Sequence, residues 1–281
     1  MKTFPCAKIN LGLYVTERRP DGYHNLETVF YPIPLCDELE IREASADDFR
    51  LEGLPVAGDP NGNLVVRLVE TLRRRGLAVP PLAIRLRKSI PTGAGLGGGS
   101  SDAAYALLLL NDLLRLGLTE EEMERIVAPL GADCAFFIRH RAAFATGIGD
   151  QLQPIPLDLS GLHLVLLKPG DFVSTREAYQ GVTPLRPRHD LSEAILRPVG
   201  QWRDLIENDF ERSVFPQHPT IAQLKARLYE AGALYAAMSG SGSAVFGLFK
   251  DPLTPDLSPL TSHPSPLTSN LSPLFQFSSQ L

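Results

Sequence analysis

The segment Leu82-Ala83-Ile84-Arg85-Leu86-Arg87 alternates apolar and charged positions, as a half-buried strand does. Alanines and leucines from Ala103 to Leu116 then follow at helical spacing. Near the start, Phe4 to Ala7 and Ile9 to Val15 read as strand on either side of Lys8. A helix is predicted from Thr119 through Val127, opened by Leu118-Thr119-Glu120-Glu121-Glu122, and the apolar run Cys134 to Ile138 comes after it. Past residue 150 the pattern changes to a second unit. It has a buried-strand candidate at Leu162 to Leu167 and a helix capped by Ser174 or Thr175. A helix opens at Asn208-Asp209-Phe210-Glu211, another spans Pro219 to Gly232, and a strand covers Tyr235 to Met238. From Asp251 to Leu281 the periodicity gives way to repeated Ser/Thr, Pro and Leu. Prolines at 252, 255, 259, 264, 266 and 273 forbid a continuous helix, so about residues 252–281 are expected to be mostly disordered.

Between the first strand and its helix lies Pro91-Thr92-Gly93-Ala94-Gly95-Leu96-Gly97-Gly98-Gly99-Ser100-Ser101-Asp102. Glycines in this number do not build a core. They let the backbone take positive φ and approach a ligand closely, while the free N–H groups of the following helix start converge on one spot that favours an anion, a phosphate chain above all. Ser100 or Ser101 offers an N-cap hydroxyl, and Asp102 falls in the positive first turn. A flexible Gly/Ser linker would not be framed by a strand and a well-marked helix.

The run contains G-x-G-x-x-G at Gly93, Gly95 and Gly98, but a dinucleotide fold needs an acidic residue ending the next strand, roughly 20 residues on. A helix start stands there instead. The ATPase P-loop needs a Gly-Lys-Ser/Thr ending, and this loop has no lysine. Protein kinases carry their glycine loop in a hairpin, with His-Arg-Asp and Asp-Phe-Gly downstream, and neither follows here.

The loop resembles the ATP loop of the small-molecule kinase superfamily of galactokinase, homoserine kinase, mevalonate kinase and phosphomevalonate kinase. Within it the chain is similar to the branch acting on 4-diphosphocytidyl-2-C-methyl-D-erythritol in the non-mevalonate isoprenoid route. Further matches are Ala7-Lys8-Ile9-Asn10-Leu11, Pro20-Asp21-Gly22-Tyr23-His24, Leu130-Gly131-Ala132-Asp133-Cys134, Ala142 to Gly149, and Met238-Ser239-Gly240-Ser241-Gly242-Ser243-Ala244-Val245-Phe246. The resemblance implies an α+β fold of two domains with the active site in the interdomain cleft: an ATP-binding kinase domain over 1–150, a substrate domain over 151–250, and an atypical tail over 251–281 where the family has another helix and strand.

It also implies ATP as co-substrate with Mg²⁺, whose ligands the sequence does not identify, and transfer of the γ-phosphoryl group to the substrate's 2-hydroxyl. Pro91, Thr92, Gly93, Ala94, Gly95, Leu96, Gly97, Gly98, Gly99, Ser100 and Ser101 would bind ATP. By the same resemblance Lys8 approaches the transferred phosphoryl group and Asp133 is the general base. A lone lysine between strand residues is otherwise an outward-facing solubilising side chain, and an aspartate at such a junction is otherwise a helix cap. Asn10, two residues from Lys8 on a strand, shares its face. Tyr23 and His24 would grip the cytosine base by stacking and edge hydrogen bonding, with Tyr179 opposite Tyr23 and Thr175 facing the substrate. The second glycine loop would steady the ATP loop.

Composition narrows the partners. The chain has 281 residues, 27 Lys and Arg against 32 Asp and Glu, and a net charge of −5, which argues against an electrostatic nucleic-acid binder. No apolar run reaches membrane-spanning length, and no signal or transit peptide is expected before Cys6-Ala7-Lys8. Composition thus argues for no nucleic-acid and no membrane partner; the resemblance implies a small cytidine diphosphate compound as the partner, and no obligate protein partner is expected. Cys6, Cys36 and Cys134 lie far apart without metal-ligand spacing, and read as separate thiols in a reducing cytoplasm. Two rival readings are a superfamily kinase for homoserine or a mevalonate derivative, whose substrates have no base to stack, and a catalytically silent ligand-binding protein on the same scaffold.

Overall fold

A computed structural model describes residues 1–56, 62–184, 187, 189–252 and 275–281. In chain order the strands are β1 (Lys2–Thr3), β2 (Cys6–Arg18), β3 (His24–Cys36), β4 (Glu38–Glu43), β5 (Asp48–Gly53), β6 (Leu82–Lys88), β7 (Ala143–Thr146), β8 (Gln151–Pro154), β9 (His163–Lys168), β10 (Tyr235–Met238), β11 (Val245–Phe249) and β12 (Phe275–Gln280). The helices are α1 (Leu64–Arg74), α2 (Gly98–Leu113), α3 (Glu120–Val127), α4 (Cys134–Arg139), α5 (Thr175–Gln180), α6 (Leu191–Ala194), α7 (Trp202–Leu205), α8 (Phe210–Val214) and α9 (Pro219–Glu230). The mixture is α+β, as expected.

Two compact units emerge, and they are interleaved along the chain, unlike the single division expected at residue 150. The first comprises 1–8, 32–92 and 97–141, the second 9–31, 93–96 and 142–281. A linear cut cannot describe them because β2 and β3, each 13 residues long, contribute residues to both.

The first unit contains the sheet β1-β4-β6-β5, antiparallel except for the parallel β5–β6 pair. The alternation in β6 works as read: Leu82, Ile84 and Leu86 are buried while Arg85 and Arg87 are exposed. Helix α2 turns Ala103, Ala104, Ala106, Leu107 and Leu110 wholly inward. Helix α3 starts where its sequence says. Thr119 accepts from the Glu122 N–H while the Glu122 carboxylate takes the Thr119 N–H at 2.8 Å, a reciprocal cap. Cys6 and Cys36 are joined by a disulfide, which corrects the reading of separate thiols. Strands β2 and β3 are neighbours, and the Asp37 N–H donates to the Pro5 carbonyl at 2.8 Å, so residues distant in sequence face each other. Cys134 is free and buried, and burial pushes its thiol up to about 11.

The second unit has one sheet in the order β10-β11-β9-β12 and receives most of another, β2-β3-β7-β8. Its core joins Leu13 and Val15 of β2 to Val165 and Leu167 of β9, Phe210 and Val214 of α8, and Ile221, Leu224 and Leu228 of α9. The expected disorder of the tail is corrected at its end: β12 pairs antiparallel with β9 from Phe275↔Lys168 to Gln280↔His163. Alternation gives this strand its place, with Phe275, Phe277 and Ser279 half-buried and Gln276, Ser278 and Gln280 exposed. Residues 253–274 of the same expectation lie outside the described residues. No helix among the described residues is long and apolar enough to cross a membrane.

Candidate active site

The glycine-rich loop runs from the end of β6 into α2. Gly93, Gly95 and Gly97 have φ of +61°, +74° and +71°. A Cβ on Gly95 would stand 1.9 Å from the Ser239 carbonyl oxygen, and one on Gly97 would stand 2.8 Å from the Phe137 ring and 3.3 Å from Lys8 Cε. At these two positions both backbone conformation and space demand glycine. Pro91 is buried, Ala94 and Leu96 are buried as anchors, and Thr92 is exposed.

Helix α2 begins earlier than its serines suggested. Gly97 in the left-handed region is the N-cap residue, with no side-chain cap, so Ser100 and Ser101 fall inside the first turn. The Ser101 hydroxyl donates to the Cys6 carbonyl at 2.7 Å rather than capping the helix. The first intrahelical bond runs from the Ser101 N–H to the Gly97 carbonyl at 2.9 Å, so the N–H groups of Gly98, Gly99 and Ser100 precede it and face the helix end. Unbonded N–H groups converging at a helix start are the geometry that suits an anion.

Beside Gly97, the Lys8 ammonium lies 3.3 Å from Asp133 Oδ2, with the lysine side chain 4% exposed and the aspartate side chain 30% exposed. The two alternatives left open by the sequence separate here. Lys8 is buried rather than solubilising. Asp133 occupies the N-cap position of α4 yet makes no capping hydrogen bond. Its carboxylate is turned to the lysine and to solvent.

In the second unit Asn10 is buried and its Nδ2 donates to Thr28 Oγ1 at 2.9 Å. Its N–H donates to Ser239 Oγ at 3.2 Å, and that hydroxyl donates to the Gly95 carbonyl at 2.9 Å. The loop after β10 is in turn held by Asn208, whose Nδ2 donates to the carbonyls of Met238 and Gly240, both at 2.8 Å. Ser239 therefore ties Asn10 to residues 93–96 of the ATP loop. The sequence marked Asn208 only as a helix opening; its reach across 30 residues left no local signal.

The aromatic pair differs from the expected arrangement. His24 stacks on Tyr179, with ring centroids 4.9 Å apart and planes 21° from parallel, and Phe210 meets Tyr179 edge-on at 4.7 Å. Burial, with a smaller contribution from Arg18, holds the His24 imidazole below its ordinary pKa. Tyr23 is 62% exposed. Thr175 is exposed at the first position of α5, and the cap is Ser174, which accepts from the Glu177 N–H at 3.1 Å. His218, missed in the sequence, fastens this segment by bridging Glu177 at 2.8 Å and Asp171 at 3.4 Å.

Comparison with known proteins gives this geometry its context. Residues 63–141 match the N-terminal domain model of the GHMP kinases and residues 191–257 the C-terminal model. A 4-diphosphocytidyl-2-C-methyl-D-erythritol kinase of Bacteroides thetaiotaomicron is 54% identical over 254 residues, covering 89% of this chain and 92% of the relative. One from Parabacteroides distasonis is 54% identical over 252 residues, covering 90% and 93%. A crystal structure of 4-(cytidine 5'-diphospho)-2C-methyl-D-erythritol kinase superposes with a TM-score of 0.78 at 32% identity, covering 99% of this chain and 98% of that one. The mevalonate kinase of Methanococcus jannaschii shares the fold at a TM-score of 0.69 and 13% identity. With a glycine-rich start to α2, a lysine–aspartate pair beside it and relatives this similar along most of its length, the chain belongs to the GHMP kinases and, among them, to the 4-diphosphocytidyl-2-C-methyl-D-erythritol kinase family.

Proposed function

We propose that this kinase transfers the γ-phosphoryl group of ATP to the 2-hydroxyl of 4-diphosphocytidyl-2-C-methyl-D-erythritol, a step of non-mevalonate isoprenoid precursor synthesis. The observation that carries the reading is the Lys8–Asp133 pair, 3.3 Å apart and next to the αL glycine that starts α2. The N–H groups of Gly98, Gly99 and Ser100 receive phosphate oxygens. Asp133 accepts a hydrogen bond from the attacking hydroxyl, orients it, and takes its proton as the new P–O bond forms and the bond to the β,γ-bridging oxygen breaks. Lys8, 3.3 Å from that carboxylate, offsets charge on the transferred phosphoryl oxygens. ADP leaves with the displaced oxygen.

Mg²⁺ belongs to the reading as a companion of ATP. Among the described residues no group of three or more His, Cys, Asp or Glu side chains is arranged for a metal. In this reading the ion would be held mainly by phosphate and water oxygens. The cytoplasm, where ATP is supplied, is the setting proposed.

His24, Tyr179 and Tyr23 serve base recognition. A cytosine sandwiched between Tyr23 and Tyr179 needs a full stacking distance on each side, and an imidazole centred 4.9 Å from Tyr179 fills one of them. For a base to stack on the face of Tyr179 that His24 covers, the imidazole would have to move aside.

A phosphotransfer assay with labelled ATP and a panel of alcohols tests the reading. The cytidine diphosphate substrate should be phosphorylated, while methylerythritol phosphate, homoserine and mevalonate should not. Equal use of methylerythritol phosphate would remove base recognition, and no transfer to any member would leave a binding protein.

A further inference from the structure

Lys88 ends β6 with its ammonium between two carboxylates, Asp37 and Asp102, and none of the chemistry above uses them. All three are closed off from water, with exposures of 4%, 1% and 3%. Asp37 Oδ1 accepts the N–H groups of Ser89 and Ile90, the latter at 2.8 Å, and its Oδ2 accepts from Lys88. Asp102 Oδ2 also accepts from Lys88, at 2.5 Å, whereas its Oδ1 has no hydrogen-bond partner among the described residues.

The position of this group matters as much as its charge. A Cβ on Gly98, the first residue of α2, would lie 2.9 Å from Ile90 Cγ2 and 3.4 Å from Lys88 Nζ. The helix start thus rests on the lysine. Asp37 fixes Ser89 and Ile90, where the chain leaves the strand, and Asp102 fixes α2, where the chain enters the helix. Lys88 joins the two. The spacing between the strand side and the helix side of the ATP loop is set by one buried cation.

We infer that Lys88, Asp37 and Asp102 form a positioning clamp for the ATP loop, holding the first turn of α2 where its N–H groups converge on phosphate. One cation between two carboxylates leaves a surplus negative charge among buried side chains. Of the two carboxylates, Asp102 is the one with an oxygen left unpartnered among the described residues, and the surplus pushes it towards its neutral acid form. Burial acts in the same direction, raising the Asp102 pKa against the pull of Lys88. A neutral Asp102 also leaves the positive end of α2 uncompensated, as an anion seat requires.

The inference rests on the ATP-loop reading, and the experiment separates the two. The wild type is titrated with ATP by calorimetry, and KM for ATP and for the acceptor alcohol, with kcat, are measured for Asp102→Asn, Asp102→Ala and the triple variant Asp37→Asn/Lys88→Met/Asp102→Leu. The triple variant replaces the buried charges by groups of similar volume, which proteins commonly tolerate without unfolding. Asp102→Asn, neutral and isosteric, should keep KM for ATP within about twofold and delete a protonated-carboxyl carbonyl band from the infrared spectrum. Asp102→Ala, or the triple variant if that one does not fold, should raise KM for ATP by about tenfold or more with the acceptor KM unchanged, since displacing a binding group by about 1 Å costs up to 10²-fold. The clamp is overturned if a folded triple variant keeps its ATP KM, if both KM values rise together, or if Asp102→Asn removes no such band. Failure of the wild type to bind ATP would overturn the ATP-loop reading itself.

Discussion

Gly99→Ala separates what the fold needs from what the ligand needs. Gly99 lies in the first turn of α2, is exposed, has no positive φ, and a Cβ there would have Leu64 Cδ1, at 3.8 Å, as its nearest neighbour. Nothing among the described residues requires glycine at this position, in contrast to Gly95 and Gly97. Alanine should leave stability unchanged or raise it by up to about 1 kcal/mol, because it has the higher helix propensity. A helical Cβ tilts toward the N-terminus, which here is the side where the proposed function places phosphate. Loss of one charge-assisted hydrogen bond costs about 1.5–3 kcal/mol. At 1.4 kcal/mol per tenfold, that is a rise of about 10- to 150-fold in KM for ATP. Thermal melting should therefore show an equal or higher Tm, while steady-state kinetics or calorimetry shows weakened ATP binding. Normal ATP affinity in a stable Gly99→Ala protein would refute the assignment of these N–H groups to phosphate.

Asp133→Asn should lower kcat by about 10²- to 10⁴-fold with ATP affinity retained, measured by single-turnover transfer from labelled ATP; near-normal turnover removes Asp133 as base. For His218, burial alone would lower the pKa, but hydrogen bonds to Glu177 and Asp171 outweigh it and the folded value is raised above 6.5. The stabilisation by His218 is then fully present below the unfolded pKa and is lost as pH rises through the folded one, so denaturant titrations should show His218→Gln destabilised at about pH 5 and least affected near pH 9. Removing residues 275–281 strips β12 from β9 and uncovers the surface under Phe275 and Phe277, which should lower stability by about 1–3 kcal/mol and speed proteolysis of the second unit; an unchanged melting curve would show that the strand contributes nothing.

Local signals were enough wherever one element's own residues decide its conformation. The alternation of β6, the start of α3 at Thr119, the cap of α5 at one of the two residues offered, Ser174 rather than Thr175, and the bounds of β10 all depend on neighbours within a few positions. The start of α2 misled because serines are good caps in general, whereas here Gly97 adopts the left-handed conformation first and the helix opens before them. Lys8 and Asp133 could be paired only by resemblance, since nothing local joins residues so far apart. The His24–Tyr179 stack, the Cys6–Cys36 bridge and the pairing of β12 are long-range contacts of the same kind.

Lys88 is the instructive exception. The period-two pattern that puts Leu82, Ile84 and Leu86 inside puts residue 88 inside as well, so a lysine at that parity is a buried charge by the same rule that identifies the strand. A buried lysine needs a carboxylate, and Asp102 stands 14 residues on, within the helix that the loop delivers back to the strand. Read this way, Asp102 is a core partner rather than a complement to the helix dipole. The loop's glycines give the backbone freedom to bend around phosphate, and the charge at parity 88 fixes where its two ends are held, so freedom in the middle and constraint at the ends come from one stretch of sequence.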